Sequence, residues 1–177
     1  MMNNALRFPE VINQFNAYDD TDKLQGVSGE ISLATLSAIT TEISGAGILG
    51  TYNTSIPGSY QSIQQEIPFR MISEEYFRMA IASKQVNLTL RSSIQYVDKE
   101  SGGTISSQGM RVVFRGRPTA YNLGTLSQGS LMNASITLEV TYILIEIGGK
   151  TLFELDKLNS VFKVNGVDLL EDIRNQC

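Results

Sequence analysis

The chain has 177 residues, 42% of them apolar, with 14 basic against 18 acidic side chains and a formal net charge of −4, the size of one globular domain able to bury its own core. Histidine is absent, which excludes Ser-His-Asp and Cys-His catalysis and His-ligated zinc. The single cysteine, Cys177, leaves no intrachain disulfide and predicts folding in a cytoplasm, while the scattered cations serve phosphate neutralisation poorly.

At the start, "MMNNALRFPEVINQF" has no apolar core of signal-peptide length. The most apolar run of the chain, "YILIEI", is too short to cross a bilayer and contains Glu146. The expectation is a chain neither exported by a signal nor embedded in a membrane. A turn cluster, "DDTDKLQG", follows, and then "EISLATL" alternates weakly around Ile31, Leu33 and Leu36 as a strand would.

Residues 40–65, "TTEISGAGILGTYNTSIPGSYQSIQQ", combine many Gly, Ser and Thr residues with Ile48, Leu49, Tyr52, Ile56 and Tyr60. A segment of that length with this apolar content is too long for a plain connection and too hydrophobic for simple disorder. It predicts a protruding hairpin or arm that orders against a partner, with Ile48, Leu49, Tyr52 and Ile56 as anchors.

One internal helix is signalled by Ser73 as cap and Glu74 and Glu75 in the first turn, with Phe77, Ala80, Ile81 and Lys84 sharing a face that would cover a sheet. Beyond it, "VNLTLR" sets Val86, Leu88 and Leu90 against Asn87, Thr89 and Arg91, and "ITLEVTY" sets Ile136, Leu138, Val140 and Tyr142 against Thr137, Glu139 and Thr141. "RVVFRG" is a further strand, and "DKESGGT", "NLGTLSQGS" and "IGGK" supply turns. The chain closes with "TLFELDKLNSVFKV" as a strand or two, a turn at Asn165 and Gly166, Asp168 placed to cap, and a short helix with Leu169, Leu170 and Ile173 as its apolar stripe.

No cluster carries chemistry. The acids Asp19, Asp20 and Asp22 suit a hairpin turn better than calcium, because Leu24 and Gln25 stand where an EF-hand loop places an oxygen ligand and a glycine. Glu74 and Glu75 are adjacent and diverge by about 100° on a helix, so they do not flank one substrate bond. "SGAGILGTYN" lacks the lysine of a phosphate loop. Arg111, Arg115 and Arg117 alternate along one strand as the polar face of a sheet paired to acids such as Glu139, or as a local anion-binding stripe. Catalytic, cofactor and metal residues are therefore expected to be none, and the strand edges and long loop point to a part built for assembly.

The closing stretch "GGKTLFELDKLNSVFKVNGVDLLEDIR" resembles the major tail tube proteins of contractile-tailed bacteriophages and phage-tail-like bacteriocins. The resemblance is carried by Glu154, Asp156, Lys157 and Asn159 and then by Asn165, Gly166 and Asp168. A central block, "LTLRSSIQYVDKESGGTISSQGMRVVFRGRP", is similar to the family's strand pair ending in an Arg-Gly step, here Arg115 and Gly116. "VINQFNAYDDTDKLQGVSGEISLATL" resembles the family's first hairpin, with Ala34 where members often have proline.

The resemblance implies one tail tube domain over residues 1–177, an antiparallel β-sandwich or barrel-like subunit with a flanking helix and a short C-terminal helix. It implies that six copies join strands into a ring β-barrel and that rings stack into a tube. Implied partners are the sheath, baseplate and tail terminator proteins, with DNA only as passing cargo and no membrane. The implied location is a virion tail or extracellular bacteriocin particle, assembled in the host cytoplasm. The alternative is a soluble β-sandwich module binding carbohydrate or protein; against a sugar platform stands the absence of tryptophan.

Overall fold

In the computed structural model, residues 7–99 and 102–177 are described, and the chain is mainly strand with two short helices. The elements run β1 (Arg7–Asp19), β2 (Asp22–Lys23), β3 (Ala38–Ile43), β4 (Tyr52–Tyr60), β5 (Gln64–Phe69), α1 (Glu74–Met79), β6 (Val86–Asp98), β7 (Thr104–Asn122), β8 (Ala134–Ile147), β9 (Lys150–Asp156), β10 (Val161–Val164), β11 (Val167–Asp168) and α2 (Glu171–Gln176). All pairings are antiparallel, and nine strands form one sheet in the order β11-β10-β9-β8-β7-β6-β1-β2, with β5 also on β8.

The sheet rolls up because β8 shares one edge between two neighbours. Its first half, Ala134 to Glu139, pairs with β5, and its second half, Tyr142 to Ile147, pairs with β9. From β5 a bridge between Phe69 and Val27, flanked by Ser28 N–H to Pro68 O and Arg70 N–H to Gly26 O at 2.9 Å each, leads back to the chain just after β2. The circuit β1-β6-β7-β8-β5 thus closes on itself, and its interior collects Leu88, Leu90, Val112, Phe114, Ile136, Leu138 and Val140, all buried. The alternation read from "VNLTLR" and from Ile136 to Val140 is therefore the barrel core on one face and polar residues on the other. An extra residue at Thr141 breaks the period, so that Ile143 continues the core and Tyr142, expected on the apolar face, lies on the polar one beside Arg115 and Glu154.

Two register shifts interrupt the β7–β8 ladder, the first with the extra residue Thr141 in β8 and the second with Thr119 in β7, and at the first Gly116 lies against the β8 backbone, where a Cβ would meet the Glu139 carbonyl. Pro118 follows where β7 has outrun β6, so its missing N–H costs no ladder bond there.

Three local expectations are corrected. The run 29–37 is not a strand: it passes extended over the barrel and is held by a side chain, with Gln65 Oε1 accepting from Ala34 N–H and Gln65 Nε2 donating to Ser32 O, both at 2.9 Å. The helix α1 is only six residues long and buries Tyr76 and Met79, leaving Phe77 and Ile81 exposed. What orients it is the Tyr76 hydroxyl, which donates toward the carbonyls of Asn122 (3.0 Å) and Ser135 (3.2 Å), while its ring stands edge-on to Phe69. In α2, Leu170 alone of the expected stripe is buried; Leu169 and Ile173 face outward.

Candidate assembly surfaces

The segment expected to protrude is a hairpin of its own. Among the described residues β3 and β4 pair only with each other, and most of their residues are exposed. The last part of residues 40–65 belongs instead to β5, where Gln65 is fully buried. At the tip Gly47 (φ 88°) and Gly50 (φ 86°) take left-handed backbone. Leu49 between them is fully exposed, and Ile48, Tyr52 and Ile56 are also exposed. From residue 43 to residue 65 there is no charged side chain. A two-stranded hairpin is marginal in water without a hydrophobic support, and beyond its base this one has none from its own sheet.

Its base is fixed to the C-terminal block. Lys157 Nζ donates to Gln61 O at 2.8 Å, Tyr60 stands edge-on to Phe162 with ring centroids 5.7 Å apart, and Gly58 lies against Leu170. The family-motif residues are mostly local clasps around this support. Asp156 accepts from Leu158 N–H (3.0 Å), Asn159 N–H (3.1 Å) and Asn159 Nδ2 (2.7 Å), which shapes the turn between β9 and β10. Asn165 (φ 52°) and Gly166 (φ 83°) form the two-residue turn joining β10 to β11.

Asp168 accepts from Leu170 N–H at 3.0 Å and pairs with Arg174 at 2.6 Å. The hydrogen bond from Arg174 holds its carboxyl below the usual range. It fixes the entry to α2 without being the N-cap, which is Leu170.

Glu154 reaches across to Lys163 (3.3 Å) and accepts from the Tyr142 hydroxyl (3.1 Å). Burial, reinforced by that bond, pushes the Tyr142 hydroxyl up to about 12.

On the polar face of the long sheet, Arg91 and Arg111 stand directly opposite one another. Like charges so placed repel, and each is met by another group: Arg111 by Glu146 through two contacts of 2.8 Å, Arg91 by the Tyr18 ring at 5.0 Å. Arg115 lies over Tyr142 at 4.4 Å. The acid serving the arginine stripe is therefore Glu146 and not Glu139, whose carboxylate accepts from Ser62 Oγ at 2.6 Å. Asp20 and Thr21 form the tight turn between β1 and β2, where Asn87 Nδ2 donates to Asp20 and Arg78 reaches Asp22 at 3.3 Å.

The sequence reading missed the free flank of the sheet. Among the described residues, positions 8–16 of β1 pair with β6 on one side and with no strand on the other, leaving Phe8, Val11 and Ile12 exposed. Two register shifts, between Pro9 and Val11 and between Ile12 and Gln14, put Ile12 and Phe15 on the core face although they are three residues apart, which hides the two-residue period.

The arrangement is that of a β subunit with an unpaired sheet flank and a hairpin whose tip carries no charge. A family model, phage tail tube protein FII, matches residues 9–177, and the chain belongs to that family. It is 26% identical to the tail tube protein of Escherichia phage P2 over 174 residues, which cover 96% of this chain and 97% of that one. Over 72 residues, 41% of each chain, it is 38% identical to the major tail tube protein of Serratia phage KSP20. Among solved structures, a chain of the sheath/tube terminator of an extracellular contractile injection system in its extended state shares the fold, with a TM-score of 0.54 at 15% identity over 78% of this chain and 97% of that one. The protein is a structural component of the tail tube of a contractile phage-type tail.

Proposed function

We propose that six copies of this chain, each a single domain over residues 1–177, join into a ring whose long sheets form one β-barrel, and that such rings stack into the inner tube of a contractile tail. The observation that carries this reading is the unpaired flank of β1, because a ring closed by pairing between copies removes an otherwise exposed edge. The polar sheet face with Asn87, Thr89, Thr137, Glu139 and Thr141 alternates with the core as a lumen lining does. The tube is surrounded by sheath protein and bounded by baseplate and tail terminator proteins. DNA passes only as cargo, and the particle is a virion tail or bacteriocin put together in the host cytoplasm. Its work is assembly without turnover.

Residues Ile48, Leu49, Tyr52 and Ile56 anchor the hairpin on a neighbouring copy in the same ring or the next. Negative-stain electron microscopy with sedimentation velocity over a concentration series tests the reading: rings or hollow tubes are expected, and a persistent monomer at high concentration refutes it. Removing residues 45–59 is expected to leave a folded subunit that does not polymerise.

A further inference from the structure

The hairpin and the free sheet flank lie at opposite ends of the strand order. The hairpin is anchored on β10, α2 and the turn after β9, whereas the free flank is β1, with β6, β7 and β8 in between. Beside that flank, where the 29–33 run crosses the core face of the sheet, lies an open cleft of about 340 Å³. Ile12, Phe15, Ile31, Leu33, Leu90 and Met110 line it, and Glu30 is its one charged lining residue. No residue of the hairpin of the same chain lines it. Leu33 and Ile12 are half exposed at its mouth, over buried Leu90 and Val112 at its floor.

We infer that this cleft receives the hairpin tip of a second copy, with Ile48 and Leu49 inserted between the 29–33 run and β1. The chemistry matches on both sides: the tip offers a fully exposed Leu49 within a stretch free of charge, and the cleft presents aliphatic and aromatic walls with a single ion, the exposed Glu30, so docking brings no second charge into it. The space suits one or two aliphatic side chains. Because donor and receptor are different surfaces at opposite ends of the strand order, a head-to-tail contact in which each copy gives one hairpin to the next and accepts one from the copy before closes a ring or extends a filament. The inference rests on the tube-subunit reading and assigns the receptor for its hairpin.

The test uses the full chain carrying Cys177→Ser, with Leu49→Cys and Leu33→Cys introduced together, oxidised mildly after assembly and run on a non-reducing gel. A ladder extending past dimers is expected, since every copy bonds to the next. A matched protein with Leu49→Cys and Leu126→Cys, the latter on an exposed loop outside the cleft, is expected to give dimers at most. Tubes that form while the Leu49→Cys and Leu33→Cys thiols remain free, or a ladder from the Leu126→Cys pair instead, overturn the docking and leave the tube reading standing. A chain that stays monomeric overturns both.

In a second measurement, Leu49→Glu alone is expected to raise the concentration needed for assembly by at least about tenfold with an unchanged melting temperature, because the carboxylate must leave water. A 1:1 mixture of Leu49→Glu and Leu33→Glu chains is expected to stop at heterodimers in sedimentation velocity. Unimpaired polymerisation of either variant overturns the inference.

Discussion

Replacing Gln65 with leucine keeps the volume of a fully buried side chain and removes three hydrogen bonds at once: to Ala34 N–H (2.9 Å), Ser32 O (2.9 Å) and Glu66 O (2.7 Å). At about 1 kcal/mol net each, the loss is about 3 kcal/mol, and the greater apolarity of leucine in a core position returns about 1 kcal/mol. The variant is expected to be destabilised by about 2 kcal/mol, a fall of about 4–8 °C in Tm for a chain of this length. The loss is local in origin, because two of those bonds, to Ala34 N–H and Ser32 O, tie the 32–34 run to β5, and the same run forms one wall of the cleft and leads into β3. Calorimetry gives the stability, and hydrogen exchange gives the Ala34 amide, which is expected to lose protection before the strands of the barrel do. A stability change within about 0.5 kcal/mol, or an Ala34 amide as protected as in the parent chain, would refute the claim that Gln65 holds this segment.

Gly116→Ala is expected to cost more than about 2 kcal/mol or to prevent folding, because the added carbon meets the backbone of Glu139 instead of a flexible side chain; urea denaturation measures it. Spectrophotometric titration is expected to find Tyr142 ionising at about 12 in the folded chain against 10.0 in the unfolded one. Its contribution to stability is then complete below pH 10 and disappears as pH rises toward 12. Asp168 shifts the other way: its contribution is complete above the unfolded value of 3.8 and is lost as pH falls through the lower folded value, so acidification below 3.8 is expected to release α2 in an NMR titration. Arg174→Ala is expected to bring the Asp168 carboxyl back toward 3.8 in the same experiment.

Much of this protein is local and so was open to reading from the chain alone. Period-two alternation marks Val86, Leu88 and Leu90 and then Ile136, Leu138 and Val140 as one buried face, since side chains on a strand must point to alternate sides. Asn165 and Gly166 had to turn because they tolerate positive φ, and Ser73 had to cap because its hydroxyl can accept from the first turn of α1. A stretch of such length, uncharged from residue 43 to residue 65 and bearing aromatics, was marked as more than a connection, and the absence of histidine excluded whole classes of chemistry.

What the chain alone did not settle depends on residues far apart in sequence. Bulges in β1 broke the period and concealed Ile12 and Phe15 as neighbours on the core face. Whether 29–37 is a strand depends on Gln65 reaching Ala34 from 31 residues away. The face that α1 buries depends on where Asn122 and Ser135 leave carbonyls for the Tyr76 hydroxyl. The cleft exists only because β8 divides its edge between β5 and β9, which rolls the sheet while its β1 flank stays open. Periodicity and turn chemistry act between neighbours in the chain, whereas closure of a sheet and the edges it leaves free are decided by pairing between strands.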